Sequence, residues 1–270
     1  MKSGEYLPYE YGRCDREDNC GYYRYPETKP DHIHTRGGGV PDSIPRSVAI
    51  RTIKNGLALK NDFARGLMRV FSLDQVIQVL NKYGTGTAKG GKVIFFQYDL
   101  NGDIRTGKAM KYDPITLKRD KSSPPYFVHK SIKPDYNLRQ TFFGMHLAKK
   151  RDPDNTLIMI VESEKTAILC DLMKTNPDEI YMATGGSNNL KDEPLNILSK
   201  FHIILIPDIG KAQKWSSKVE IRKRVKIWKF EKDEFDLTYP DKLYQPGNDV
   251  GDFLLESRRL VQVASDLNTK

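Results

Sequence analysis

Leu157-Ile158-Met159-Ile160-Val161-Glu162-Ser163-Glu164-Lys165-Thr166-Ala167 decides the fold of this chain. An unbroken apolar run ends in an acid, and a helical pattern opens directly behind it. The run reads as a strand over 157–162 and the segment after it as a helix over 164–174. The alternation then continues. Strands are predicted over 180–184, 203–208 and 225–230, and helices near 190–199, over 212–221 and over 252–260. Uniformly apolar strands alternating with helices specify an α/β fold with a mostly parallel sheet covered by helices on both faces. Ligands of such sheets bind at the carboxyl ends of the strands.

The pattern is different upstream. Ser72-Leu73-Asp74-Gln75 is a capping box. Leu73, Val76, Ile77 and Leu80 continue it at helical spacing, and Gly84 stops the helix. A strand over 93–98, the turn signal Asn101-Gly102 and a second strand through Arg105, Lys108, Met110 and Tyr112 predict a hairpin. The segment to Lys150 is basic and irregular, broken at Pro124-Pro125. Residues 1–45 are rich in Tyr, Pro, Gly and charge and run into Arg36-Gly37-Gly38-Gly39, which reads as a linker. Three regions are therefore expected: 1–45, a smaller α+β region over 46–153, and the α/β domain over 154–270.

With 38% hydrophobic and 29% charged residues in 270, the composition is that of an ordinary soluble globular protein. The longest apolar runs are far too short to span a bilayer, and the first residues hold no signal-peptide core. A cytoplasmic location and no membrane partner are the expectation. Three cysteines, an odd number, argue against a disulfide framework. Cys170 sits in an apolar helical pattern and reads as core. The formal net charge of +9 favours polyanionic partners, because lysines and arginines that meet phosphates release condensed counterions.

Two predicted strands end in an acid, Glu162 and Asp208. In a parallel sheet both carboxylates face one crevice, where at ~4 Å they repel by roughly 4 kcal/mol at an effective dielectric of about 20. A bound Mg2+ relieves that repulsion and clamps a phosphate; the alternative is a pair of solvated strand-end acids. Gly86-Thr87-Ala88-Lys89-Gly90-Gly91-Lys92-Val93 nearly matches a phosphate loop, but Val93 stands where the metal-binding Ser or Thr is required, and a strand rather than a helix follows.

The segment 160–167 resembles the first motif of the Toprim domain, a metal-dependent nucleic-acid module in which a strand-end glutamate opens a helix. Ala183-Thr184-Gly185-Gly186-Ser187-Asn188 is similar to the glycine turn after its second strand, Ile204-Leu205-Ile206-Pro207-Asp208-Ile209-Gly210 to its third strand, and Gly247-Asn248-Asp249-Val250-Gly251-Asp252 to the later acidic motif of bacterial replicative primases. Four motifs stand in the right order. The resemblance implies catalytic roles for Glu162 and Asp208 and a Mg2+ or Mn2+ site built from Glu162, Asp208, Asp249 and Asp252. It departs at Gly210, where the family's Asp-x-Asp has its second aspartate, so weak metal binding is expected. Phe95-Phe96-Gln97-Tyr98-Asp99, Arg105-Thr106-Gly107-Lys108, Lys111-Tyr112-Asp113 and Phe142-Phe143-Gly144 extend the likeness to primase-like proteins of mobile elements. In those proteins Pro207-Asp208-x-Gly210 with a nearby Trp, here Trp215, also replaces Asp-x-Asp. Cys14-x5-Cys20 is similar to the second half of the family's zinc ribbon. Four Cys or His ligands close a structural zinc site. With no upstream pair, a truncated ribbon without stoichiometric zinc is expected; completion by His32 and His34 is the alternative.

Basic residues supply a nucleic-acid track. Arg105, Lys108, Lys111, Lys118 and Arg119 lie on or after the hairpin, Lys165 in the first motif, and a second cluster runs through Lys211, Lys214, Lys218, Arg222, Lys223, Arg224, Lys226 and Lys229, with Tyr and Trp interleaved for stacking on bases. The other reading of these residues is a solvated face and a lysine-protected strand edge. Truncating Lys108 and Lys111 is expected to weaken binding without unfolding the protein. The resemblance implies a primase-like nucleotidyltransferase acting on single-stranded DNA or RNA with NTPs and a replicative helicase as partners. It implies ancestry more firmly than activity, and a non-catalytic binding module with a degenerate metal site, or a Toprim nuclease, are the competing readings.

Overall fold

The computed structural model describes residues 12–13, 23–24, 39–54, 56–219, 222–228, 244 and 248–268. Cys14, Cys20, His32 and His34, the residues of the zinc question, lie outside them, as does Lys229. The chain divides at Val40 into two compact units. In the first, β1 (Gly12–Arg13) and β2 (Tyr23–Arg24) pair antiparallel.

The second unit, Pro41–Lys270, opens with α1 (Arg46–Ile53), α2 (Asp62–Leu67) and α3 (Leu73–Tyr83). The capping box of α3 is complete: Ser72 Oγ accepts the Gln75 N–H at 3.3 Å and Gln75 Oε1 accepts the Ser72 N–H at 3.1 Å. Gly84, with φ 63°, ends the helix in the left-handed conformation that glycine adopts without a Cβ clash. An antiparallel sheet follows, in the order β3 (Gly86–Ala88), β4 (Lys92–Tyr98), β5 (Ile104–Met110), β6 (Tyr126–Phe127). The glycine-rich stretch that imitates a phosphate loop thus connects β3 to β4 and opens no α-helix.

From Leu157 the chain alternates as its apolar pattern predicts: β7 (Leu157–Val161), α4 (Glu164–Met173), β8 (Glu179–Ala183), α5 (Asp192–Ile197), β9 (His202–Ile206), α6 (Ala212–Ser216), β10 (Val225–Ile227) and α7 (Val250–Asn268). The four strands form an all-parallel sheet in the order β10-β9-β7-β8. Two helices differ from expectation. The helix expected over 212–221 is a short α6, followed by turns through Val219, and α7 is far longer than the segment 252–260.

Both faces of the parallel sheet are buried. Met159, Val161, Ala183 and Ile206 pack toward α4 and the antiparallel sheet, while Ile158, Ile160, Met182, Ile203 and Leu205 pack with Leu195 and Trp215 on the other side. This is why the strands read as continuous apolar runs rather than alternating ones. The change at residues 153–154 is a change of sheet within one unit, because the core is shared. Phe63, Phe95 and Tyr83 join Val161, Ile168 and Ala183 in a single apolar cluster. Phe143 ties the two parts together. Its backbone exchanges hydrogen bonds with Ala183 on the β8 edge (2.8 and 3.0 Å). Its ring stacks on Tyr83 at 5.0 Å and meets Phe95 edge-on at 5.5 Å. Among the described residues no helix is long and apolar enough to cross a membrane.

Candidate functional site

In-register parallel pairing of β7 with both β8 and β9 brings their carboxyl ends level. Val161 therefore stands beside Ala183 and Ile206, and the residues after each strand converge. Glu162 is buried, and its Oε1 lies 3.4 Å from the Asp208 backbone N–H, which donates toward it. The turn after β8 closes over the same edge, with Gly185 N–H donating to the Glu162 carbonyl at 2.9 Å and Thr184 N–H to that of Val161 at 3.0 Å. Gly185 has φ 79°, a left-handed conformation that strains any residue with a side chain, and a Cβ there would also crowd Glu164 Oε1 at 3.1 Å.

The start of α7 supplies two more carboxylates. Asp249 Oδ1 accepts the Asp252 N–H at 3.1 Å and Asp252 Oδ2 lies 3.3 Å from the Asp249 N–H, a reciprocal cap at the helix N-terminus. Thr166 of α4 donates to Asp249 Oδ2 at 2.5 Å. Glu162, Asp208, Asp249 and Asp252 line one cavity of about 410 Å³ together with Lys108, Lys118, Arg119 and Lys165.

The electrostatics follow from crowding. Burial pushes the Asp208 carboxyl up to about 9, with Asp249 and then Glu162 adding to the shift. Burial also raises Glu162, against which Lys211 and Lys214 act. Burial alone would lower Lys165, but Asp249 and Asp252 hold its ammonium above the ordinary value. Among the described residues no group of three His, Cys, Asp or Glu stands ready-made to hold a metal ion. The donor chemistry nevertheless fits one. Carboxylate oxygens are the ligands of hard divalent ions, and a carboxylate raised to about 9 by burial, with two neighbouring acids adding to the shift, is relieved by a cation.

The cationic candidates separate. Lys108, Lys118, Arg119 and Lys165 line the cavity; Arg105 and Lys111 do not. Arg105 is spent on Asp99, with Nη2 to Oδ2 at 2.6 Å, and lines a different cavity of about 300 Å³ beside Arg139 and Glu193. Lys111 donates to the Gly90 carbonyl at 3.0 Å and lies 3.6 Å from Asp62. Lys165 points inward, 2.6 Å from Asp252 Oδ1. In the second basic cluster, Arg222 binds Asp192 at 2.8 Å and Arg224 lies 3.4 Å from Asp154. Trp215 is not a stacking platform: it is fully buried, and its Nε1–H donates to the Ser187 carbonyl at 3.1 Å.

Glu164 is the site residue that sequence reasoning missed. It is almost wholly buried and pairs with Lys108, Nζ to Oε1 at 2.7 Å, while the same ammonium donates to the Gly185 carbonyl at 3.1 Å. The only trace in the sequence is the second acid of Glu162-Ser163-Glu164, at a helix start where any acid is favourable.

A family model described as Domain of unknown function (DUF6371) matches residues 61–209, and a zinc beta-ribbon finger model matches residues 1–34, the segment holding Cys14 and Cys20. Comparison with curated proteins gave no match. Among solved structures, the chain is similar to the RNA polymerase domain of Mycobacterium tuberculosis primase DnaG (14% identity, 78% of this chain and 80% of that one, TM-score 0.45). It is also similar to the zinc-binding and RNA polymerase domains of Aquifex aeolicus primase (16%, 80% and 58%, TM-score 0.46). A third likeness is to a DnaG primase catalytic domain bound to single-stranded DNA (11%, 82% and 76%, TM-score 0.49).

Proposed function

We propose that this chain, which belongs to the DUF6371 family, binds single-stranded nucleic acid and carries out Mg2+- or Mn2+-dependent, primase-like nucleotidyl transfer in the replication of a mobile element. One observation carries the reading: a single cavity at the carboxyl ends of parallel strands is lined by Glu162, Asp208, Asp249 and Asp252 and rimmed by the exposed Lys118 and Arg119. An acidic floor suits a hard cation, and a basic rim suits the phosphates of a template or a nucleotide. When bound, a divalent ion supplies charge neutralisation of a phosphoryl group and activation of an attacking oxygen. Glu162 and Asp208 would hold the ion from the β7 and β9 ends, with Asp249 and Asp252 adding negative charge from the start of α7. Glu162, buried at the end of β7, would also take up a proton from an attacking hydroxyl. Lys118 and Arg119, exposed after the hairpin, bind phosphate.

A second reading, a binding module without catalysis, is favoured by Gly210, which offers no oxygen where the resembling family has its second aspartate. The two separate in one assay. The protein is incubated with single-stranded DNA, Mn2+ and labelled NTPs, beside Glu162→Gln. Labelled oligonucleotides made by the parent and not by the variant are the expected result. Binding of DNA without product establishes the second reading. Cleavage of the DNA assigns the same carboxylates to a nuclease.

A further inference from the structure

We infer that Lys165 is a built-in cation that fixes the acidic site at a single divalent ion. The inference rests on the metal-site reading above and adds the number of ions and the residue that sets it.

Lys165 is the second residue of α4 and would be expected to reach outward toward phosphate. Instead its side chain is only 10% exposed, and its Nζ lies 2.6 Å from Asp252 Oδ1 and 3.8 Å from Asp249 Oδ2. Both acids are fixed independently of it. They cap α7 reciprocally, and Asp249 also accepts the Thr166 hydroxyl. The ammonium is therefore inserted into a preformed acidic pair and cannot be displaced cheaply, because a buried charge that loses its partner is left uncompensated.

The charge balance supports one ion. With a cation bound and all four carboxyls ionised, Glu162, Asp208, Asp249 and Asp252 bring four negative charges to the cavity, and Lys165 returns one. The fifth acid, Glu164, is neutralised separately by Lys108. One divalent ion leaves the group one charge negative, beside the cations Lys118 and Arg119; two would leave it one charge positive in a half-buried cleft. The donor count agrees. Residue 210 is glycine, and the space where a side chain would begin is open, with nothing within 4 Å. A second ion would thus find no carboxylate at position 210 and meet the Lys165 ammonium beside Asp249 and Asp252. Lys165 is a specificity-determining residue for ion number; it is not placed as a catalytic one.

The test uses the full chain and Mn2+ alone, read by calorimetry and by electron paramagnetic resonance. The parent should take up one Mn2+ per chain and show no spin-coupled pair at millimolar metal. Lys165→Met removes the charge while keeping the length. It should bind its first Mn2+ roughly tenfold or more tightly, since one repelling charge a few ångströms away is gone, and should gain a second site with a spin-coupled signal. Lys165→Arg should behave as the parent. A coupled pair in the parent overturns the inference even if Lys165→Met fails to fold, and so does a methionine variant with the parent's stoichiometry and affinity. Parent stoichiometry that falls from one to zero in Glu162→Gln, with Lys165→Met unchanged, leaves the metal site standing and removes the role of Lys165. No Mn2+ binding by any form removes both.

Discussion

Lys108 of β5 reaches from the antiparallel sheet to Glu164 at the start of α4, Nζ to Oε1 at 2.7 Å, so one buried ion pair ties β5 to α4 in the wall of the acidic cavity. The Glu164 side chain is 2% exposed and the Lys108 side chain 14%. Removing either partner strands a charge away from water.

Lys108→Ala should therefore lower stability by about 3–5 kcal/mol, the range for breaking a buried pair from one side. The double variant Lys108→Met/Glu164→Leu should recover most of the loss, because no unpaired charge remains. Urea unfolding of the three proteins checks both statements; equal losses in the single and double variants would remove the ion pair as their cause.

Lys118 and Arg119 are exposed, so their truncation should change stability by no more than about 0.5 kcal/mol. If they contact phosphate, each alanine variant should weaken single-stranded DNA binding for all sequences alike. Each should also reduce the slope of log K against log salt by about one. Titrations at several salt concentrations read the slope, and an unchanged slope in Lys118→Ala/Arg119→Ala would move the binding face elsewhere.

Gly210→Asp restores the missing carboxylate in open space, but residue 210 has φ 81°. A non-glycine residue there costs about 1 kcal/mol, less for aspartate than for a β-branched side chain. The variant should melt slightly lower than the parent in chelator and gain more than the parent on adding Mn2+. A variant with the parent's response to Mn2+ would show that position 210 does not face the ion.

His146 gives a pH dependence. Burial holds its pKa below the ordinary histidine value. One ring nitrogen, Nε2, lies 3.0 Å from the Lys82 carbonyl, and Nδ1 is buried without a hydrogen-bond partner. The unfolded chain therefore takes up the proton more readily than the folded one. The contribution is fully present above pH ~6.5 and is lost as pH falls below that value toward the lowered folded pKa, with a slope of at most about 1.4 kcal/mol per pH unit. His146→Gln should flatten that part of the stability profile between pH 7 and 5. Parallel profiles for the two proteins would assign the acid loss to other groups.

Element types were legible in the sequence wherever neighbouring residues decide them. The apolar run 157–161 with its following helix, the box at Ser72 and Gln75 and the hairpin at Asn101-Gly102 all formed as their local chemistry requires, because periodicity, capping and turn geometry are settled within a few residues. Glu162 and Asp208 could be placed together for a related reason: parallel strands of similar length deliver their last residues to one edge. The partners of the charged residues could not be read this way. Arg105, Lys108 and Lys165 look alike in sequence, yet Arg105 is taken by Asp99, Lys108 by Glu164 and Lys165 by Asp252. Trp215, read as a stacking surface, fills the core. Local chemistry determined which strands and helices this chain makes and which end of the sheet carries its acids. Only the packing of two sheets and α7 against α4 decided which cations face the cavity, because an ion pair depends on distances between segments remote in sequence, and no periodic pattern encodes those distances.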